Sequence, residues 1–350
     1  MTGEPLTYAS AGVDIKAKDE AAKAIAKTLA FARTGLGAPL GGSGHFAGMV
    51  EFGEYALVLA TDGVGTKLEI ANAMQKWDTV GIDCIAMNVN DAVCVGAEPI
   101  AFVDYLAVDK ADAHLAGELA KGLEEGARQS NMSIVGGETA ILPSIVNGFD
   151  LAGTVLAFVK KDRIVSGASI RPGDAILGVP SSGVHSNGYT LVRKAMERAG
   201  KTPHDKMPDG RTIGEALLDP TRIYVKAALA MLDAVPTGNV HGIAHITGSG
   251  LLNVPRLRKD VRYVLDAPLA PPSVFAEIQK WGSVADDEMY RTFNMGMGLC
   301  IVVAPEHADA ALAALQAHWP GSRRVGRVES GSGVSLPTLG VELTGAKASF

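Results

Sequence analysis

The chain has 350 residues, a net charge of −6 and 47% hydrophobic residues, which suits two globular domains and leaves no basic block for a nucleic-acid footprint. Aromatic residues are only 5% against 41 glycines, which favours an aliphatic-packed α/β protein over an aromatic-rich binding module. The three cysteines, Cys84, Cys94 and Cys300, form no C-x-x-C pair and no disulfide framework, so they read as small core residues in a reducing cytoplasm.

The N-terminal run is polar and lacks the apolar core of a signal peptide. No apolar run reaches membrane-spanning length, and the terminal KASF carries no lipidation cysteine, so no membrane partner is expected. Residues 17–33 place Ala22, Ile25, Ala26 and Leu29 on one helical face. The stretch 35–48, GLGAPLGGSGHFAG, holds six glycines and reads either as a flap over a ligand or as a plain loop. It matches neither G-x-x-x-x-G-K-[ST] nor G-x-G-x-x-G. A strand is expected at 55–61, a mostly apolar buried helix at 78–95, a strand at 99–108 and an amphipathic helix at 111–129. Short strands follow at 132–139 and 149–159.

The segment KDRIVSGASIRPG, 161–173, is charged and turn-rich, and the domain boundary belongs there, dividing the chain into 1–168 and 169–350. The second unit has helical patterns near 187–199, 222–233 and 306–317. Its strand patterns lie near 174–179, 240–246, 261–265, 298–303 and 323–328. The mixed order predicts an α/β (α+β) protein of two domains, each a mixed β-sheet with helices packed on one face.

Chemistry-bearing residues gather at element ends. TDGVGTK, 61–67, sets Asp62 and Lys67 around Gly63, Gly65 and Thr66 straight after a strand. It reads as a metal-phosphate site or as a tight turn with a surface lysine. Asp91 in NVNDAVCVGA and Glu138, after Gly136 and Gly137 in GGET, add carboxylates. Mg²⁺ prefers such oxygens, and distant acids meet if they share one end of a sheet. The alternatives are a polar group on a buried helix for Asp91 and a turn cap for Glu138. In the second unit His185, Ser186 and Asn187 precede a helix, as ligand contacts or as simple caps. HITGSG, 245–250, with Thr247 and Gly248, and FNMGMG, 293–298, are further Gly-rich turns.

Taken in order, YASAGVDI, TDGVGTKL, VGIDCIAMNVND, GAEP, VGGETA, SSGVHSNGYTLVRK, DPTRIYVK, HITGSG and MYRTFNMGMG resemble the aminoimidazole ribonucleotide synthetases, or phosphoribosylformylglycinamidine cyclo-ligases, nearly end to end. The resemblance implies ATP-dependent closure of an imidazole ring in purine biosynthesis, with Mg²⁺ required. It also implies a cytoplasmic homodimer whose N-terminal sheets join into a barrel. It assigns Asp62, Asp91 and Glu138 to Mg²⁺ and Lys67 to the phosphates. The nucleotide region takes in Gly42, Gly44, Gly63, Gly65, Thr66, Gly136 and Gly137. Ser186, Asn187, Thr247 and Gly248 would contact substrate, and His185 would transfer protons. The same superfamily holds selenophosphate synthetase-like and thiamine-monophosphate kinase-like enzymes, and an inactive ATP-binding paralogue is a further reading. The chain departs from the family pattern in four places: His45 enters the glycine flap, Ile141 replaces an acid, TGSG stands for TGGG, and LLNVPR is short of a glutamate.

Overall fold

The computed structural model describes residues 4–13, 15–41 and 44–345. The first helix, α1 (Ile15–Thr28), shows the expected periodicity, yet Ile25 and the nearby Leu29 are more than half exposed. Their apolar face meets no core within the single chain.

The N-terminal sheet is built from β1 (Pro39–Leu40), β2 (Gly48–Phe52), β3 (Tyr55–Gly63), β4 (Glu98–Val108), β5 (Ser133–Ile141) and β6 (Phe149–Lys160). The spatial order is β1-β2-β3-β6-β4-β5, antiparallel except where β4 meets β5. Between the strands run α2 (Lys67–Met74), α3 (Val80–Val93) and α4 (Ala113–Ser130). Alternation sorts the strand residues onto two faces. Ala56, Val58, Phe102, Leu106, Leu151 and Val155 lie buried on the face that α3 covers, and α4 packs on α3. The other face carries Leu57, Leu59, Val103, Tyr105, Leu156 and Phe158, of which Leu59, Val103 and Tyr105 are 41–45% exposed.

Helix α3 is buried along its whole length except at Asp91. It is wedged between the sheet, α4 and the second domain, which explains its nearly continuous apolar sequence. Close approach to α4 requires glycine on both sides. A Cβ on Gly81 would lie 2.3 Å from the Leu123 nitrogen, and one on Gly122 would lie 2.6 Å from the Asp78 carbonyl oxygen.

The chain leaves the first sheet at Lys160 and enters the second at Ala175. The second sheet contains β7 (Ala175–Pro180), β8 (Val240–His245), β9 (Val261–Val264), β10 (Met297–Val303), β11 (Arg323–Ser330), β12 (Gly333–Leu336) and β13 (Val341–Leu343). Its order is β13-β12-β9-β11-β7-β10-β8, antiparallel except between β9 and β12. Strands β7, β8 and β10 are buried on both faces almost throughout. The helices are α5 (Tyr189–Arg198), α6 (Ile213–Leu217), α7 (Val225–Ala234), α8 (Ser273–Gly282), α9 (Asp286–Thr292) and α10 (Ala308–His318). Periodicity does not reveal α6, α8, α9, β12 or β13, because most are too short to repeat a pattern. In α6, a reciprocal cap between Thr212 and Glu215 fixes a five-residue helix.

Candidate active site

The C-terminal half of α3 faces the second domain and carries two side chains that tie the domains together. Asn90 Nδ2 donates to the Arg222 carbonyl at 2.8 Å, and its Oδ1 accepts the Tyr224 N–H at 2.9 Å. Asp91 Oδ1 lies 2.8 Å from Nδ1 of the fully buried His245 at the end of β8. The other ring nitrogen lies 3.4 Å from Asn90 Nδ2. The network assigns the Nδ1–H tautomer, donating to Asp91 and accepting from Asn90. Asp91 therefore orients a histidine across the domain junction through Oδ1.

A second network starts at the opening motif. Lys67, expected to face phosphates, turns inward with no exposed surface. Its Nζ lies 2.9 Å from the Asp83 carboxylate and donates to the Asp219 carbonyl at 2.8 Å. Burial lowers the Lys67 pKa, while the Asp83 charge and hydrogen bond oppose the shift. Asp83 also accepts from the Thr221 N–H at 2.7 Å, the Thr221 hydroxyl at 2.6 Å and the Ser186 hydroxyl at 3.2 Å. Ser186, expected at the substrate, is thus part of this buried junction. The expected proton carrier His185 is also enclosed. Its Nε2 accepts the Ser182 N–H at 3.2 Å in a turn where His185 itself has φ 64°. Burial, then the charges of His245, Lys67 and Arg222, push its pKa well down, so the ring is neutral and holds a turn.

The expected acidic cluster does not form. Asp62, Gly153, Asp104 and Gly137 occupy one row across β3, β6, β4 and β5, so their side-chain positions share the helix-covered face. Glu138 pairs with Tyr105 one residue on and points to the opposite, open face. Among the described residues no three His, Cys, Asp or Glu side chains converge as a metal site. The row also holds Asp104, separated from Asp62 by β6, a carboxylate that the alternation of PIAFVDYLAV places on the face of Phe102 and Leu106. The absence of a side chain on Gly137 leaves the space that Asp104 Oδ1 fills, since a Cβ there would lie 2.3 Å from that oxygen. Burial raises the Asp104 pKa. Asp62 Oδ1 accepts the Gly63 N–H at 2.8 Å. Asp62 is an exposed hard carboxylate at the end of β3, and Mg²⁺ takes one or two such groups and completes its shell with phosphate oxygens and water. Gly65, at φ 71°, and Thr66 are exposed beside Asp62, at the start of α2. Gly136 and Gly137 lie on the exposed edge strand.

The two Gly-rich turns of the second domain do meet. A Cβ on Gly248 would lie 2.9 Å from Asn187 Oδ1, and Asn187 Nδ2 reaches Met87 of α3 at 3.7 Å. Thr247 is buried beside them, and Asn253 of the shortened LLNVPR segment donates to the Thr247, Gly248 and Gly250 carbonyls. Ser249, in place of a family glycine, takes φ 78°. Gly42 lies outside the described residues, whereas Gly44 is among them. Phe46 is 6% exposed and lies under the Arg256 guanidinium at 4.0 Å, and Arg256 Nη2 donates to the His45 carbonyl at 2.9 Å. The glycine-rich stretch is thus docked on the second domain.

Asp83, Asn90, Asp104, Thr221, His245 and Arg256 went unassigned in the sequence. The available signal was a polar residue inside an apolar element, such as Asp83 in VGIDCIAM, since a buried charge demands a partner.

Comparison with known proteins agrees with this architecture. Residues 44–159 match the family described as "AIR synthase related protein, N-terminal domain", and residues 171–337 match its C-terminal domain. A phosphoribosylformylglycinamidine cyclo-ligase of Methanosarcina mazei is 51% identical over 98% of this chain and 100% of the relative. The enzyme of that name from Methanosarcina barkeri is 53% identical over the same shares. Among solved structures, E. coli HypE has a TM-score of 0.62 at 18% identity, covering 83% of this chain and 85% of its own. AaThiL complexed with AMPPCP and TMP has a TM-score of 0.62 at 18% identity, covering 93% and 94%. At such identity these two establish the fold alone. With both family domains matched in order and half of the residues shared with full-length relatives, the chain belongs to the AIR synthase family, the phosphoribosylformylglycinamidine cyclo-ligases.

Proposed function

We infer that this chain performs the ATP-dependent ring closure of formylglycinamidine ribonucleotide to aminoimidazole ribonucleotide, releasing ADP and phosphate. The observation that carries this is the end-to-end correspondence with relatives of that name. The reading does not extend to the kinase-like branch, whose fold is shared at far lower identity. In the reaction the formyl oxygen attacks the γ-phosphorus and the bond to ADP breaks. The ribosyl-bearing amidine nitrogen then attacks the formyl carbon, the carbon–oxygen bond breaks, phosphate departs and protons are lost as the ring becomes aromatic.

Phosphoryl transfer is mainly positioning and neutralisation of charge. Since Lys67 is committed to Asp83, neutralisation near TDGVGTK would fall to backbone N–H groups and to Mg²⁺, which Asp62 would help to hold. The metal, when bound, would withdraw charge from the phosphate oxygens. The Asp91–His245–Asn90 contacts and the Lys67–Asp83–Thr221 network hold the two domains in register, which would pre-organise a substrate site at their junction. Asn187, Thr247 and Gly248 would supply its second-domain side. The open sheet face, with Leu59, Val103 and Tyr105, suits a second copy of the chain packing face to face as a barrel. The buried free cysteines and the absence, among the described residues, of a helix long and apolar enough to cross a membrane accord with a cytoplasmic enzyme.

The test is ADP release by the purified protein with ATP and Mg²⁺, with and without formylglycinamidine ribonucleotide, beside a colour assay for the aminoimidazole. The expected result is substrate-dependent ADP matched one for one by imidazole. ATP turnover indifferent to that substrate would overturn the reading.

A further inference from the structure

Six described residues other than glycine hold the left-handed backbone that L side chains rarely adopt. Gln75, Asn131 and Ser283 do so at the C-termini of α2, α4 and α8, where that conformation is an ordinary helix stop. The other three are His185 at φ 64°, Ser249 at φ 78° and Met295 at φ 44°. One falls in each Gly-rich turn of the second domain, and the three turns touch. The Phe293 ring comes within 2.3 Å of where a Cβ on Gly188 would stand, and the Phe293 carbonyl oxygen within 2.7 Å of one on Gly250. Outliers of this kind persist only where the surroundings over-determine them, and they gather at functional sites. Here the constraint comes from Asn294, which is 3% exposed. Its Nδ2 donates to the Gly183 carbonyl at 2.8 Å and to the Val184 carbonyl at 3.3 Å. Its Oδ1 accepts the Ser181 hydroxyl and the Gly296 N–H, both at 2.9 Å. Both donors and both lone pairs of the amide are used. The Ser181 N–H, donating to the Gly296 carbonyl at 2.9 Å, closes the same seam.

We propose that Asn294 is a positioning residue for the ring closure, which sets the backbone of residues 181–188 and so the direction in which Asn187 presents its amide. This rests on the cyclo-ligase reading above, in which Asn187 faces the substrate. Asn294 itself has no donor or lone pair left for a ligand. Asn187 is different: it is half-buried at the end of the held turn. Its Nδ2 has only the Met87 sulfur at 3.7 Å, a weak acceptor, and its Oδ1 packs against Gly248. No strong hydrogen bond of its own fixes that side chain, so its direction is inherited from the backbone before it. Asn294 grips that backbone at Gly183 and Val184, immediately ahead of the left-handed His185. The chemistry at 294 is specific to an amide. An aspartate would turn lone pairs toward two carbonyls, and a serine would offer one donor where two are used.

The experiment is a double-mutant cycle on the purified protein, with wild type, N294S, N187A and N187A/N294S. Each is measured for kcat and KM with formylglycinamidine ribonucleotide, for KM with ATP, and for thermal unfolding. S181A and N187A/S181A form a second cycle, which removes one contact to Asn294 and keeps its buried amide. N294S decides where it folds, and S181A decides where it does not. N294S is expected to lose about 10–100-fold in kcat/KM for the formylated substrate, because a small misplacement of a binding group is costly. Its KM for ATP should stay within about twofold of wild type, and in the N187A background the same substitution should cost less than about twofold more. S181A should repeat the pattern at smaller size while melting close to wild type. Losses that add in full would overturn the inference, since Asn294 would then act on stability or on another group. So would wild-type kcat/KM in the deciding variant or in N187A, or a rise in KM for ATP as large as that for the formylated substrate. Each of these, with wild type active, leaves the cyclo-ligase reading standing. A wild-type chain that does not convert the formylated substrate overturns the function and this inference together.

Discussion

Lys67 carries a charge to a place with no exposed surface, and Asp83 holds it there with the help of the Asp219 carbonyl. Such a pair is weak as net stabilisation but costly to break, because the survivor is left buried and unpaired. D83N is expected to lower unfolding stability by about 3–5 kcal/mol, read by urea denaturation, while K67M/D83N should lose less than D83N alone, because no buried charge is then left unpaired. Equal stability of D83N and wild type would show that the pair carries no such penalty. Sequence reading found Lys67 and misjudged its direction. A lysine after a glycine turn looks solvated, and only the arrival of α3 from thirteen residues further on supplies the carboxylate that draws it inward. His185 and Ser186 follow the same logic: a turn before a helix looks open until another domain closes over it.

At the scale of elements, α3 and α4 decide whether the N-terminal domain packs. Their spacing depends on Gly81 and Gly122 facing backbone atoms, which cannot give way as a flexible side chain would. G81A is expected to destabilise by about 2 kcal/mol or more through overpacking. G117A, on the exposed side of α4 with nothing within 4 Å of its Cβ, should stabilise by about 0.5–1 kcal/mol. Calorimetric melting of the two variants separates close packing from helix propensity. A G81A chain that melts with wild type would mean that the helices slide apart without cost. Long elements such as α3, β4 and β6 were legible because burial imposes a continuous or alternating pattern over many residues. β1, inside the glycine stretch, and β2, which begins at its end, were hidden because their signal is backbone pairing, β1 with β2 and β2 with β3, and not a side-chain period.

For the molecule as a whole, the N-terminal sheet is half a structure: one face is sealed by α3 and the other leaves Leu59, Val103 and Tyr105 in contact with water. An apolar sheet face of this kind calls for a partner, and a second copy is the expected one. V103D is therefore expected to shift the protein from dimer to monomer in analytical ultracentrifugation. A wild-type monomer at micromolar concentration, or a V103D dimer as tight as wild type, would count against this face. The apolar residues Ile25 of α1 and the trailing Leu29 are likewise uncovered in the single chain.

The sequence by itself determined the two-domain α/β class, the long elements, the core role of the cysteines and the family. Each of these is written locally, as periodicity, as turn chemistry or as runs of residues in order. The tertiary structure alone decided which polar groups meet. It put Glu138 on the opposite face from Asp62, paired Asp104 with that row, gave Asp91 to His245 and Lys67 to Asp83, and folded the glycine stretch onto Arg256. The physical reason is that a strand's side-chain direction reverses with every residue, and a buried charge takes whatever partner a distant segment brings. Neither fact is fixed until the sheets are registered and the domains are docked.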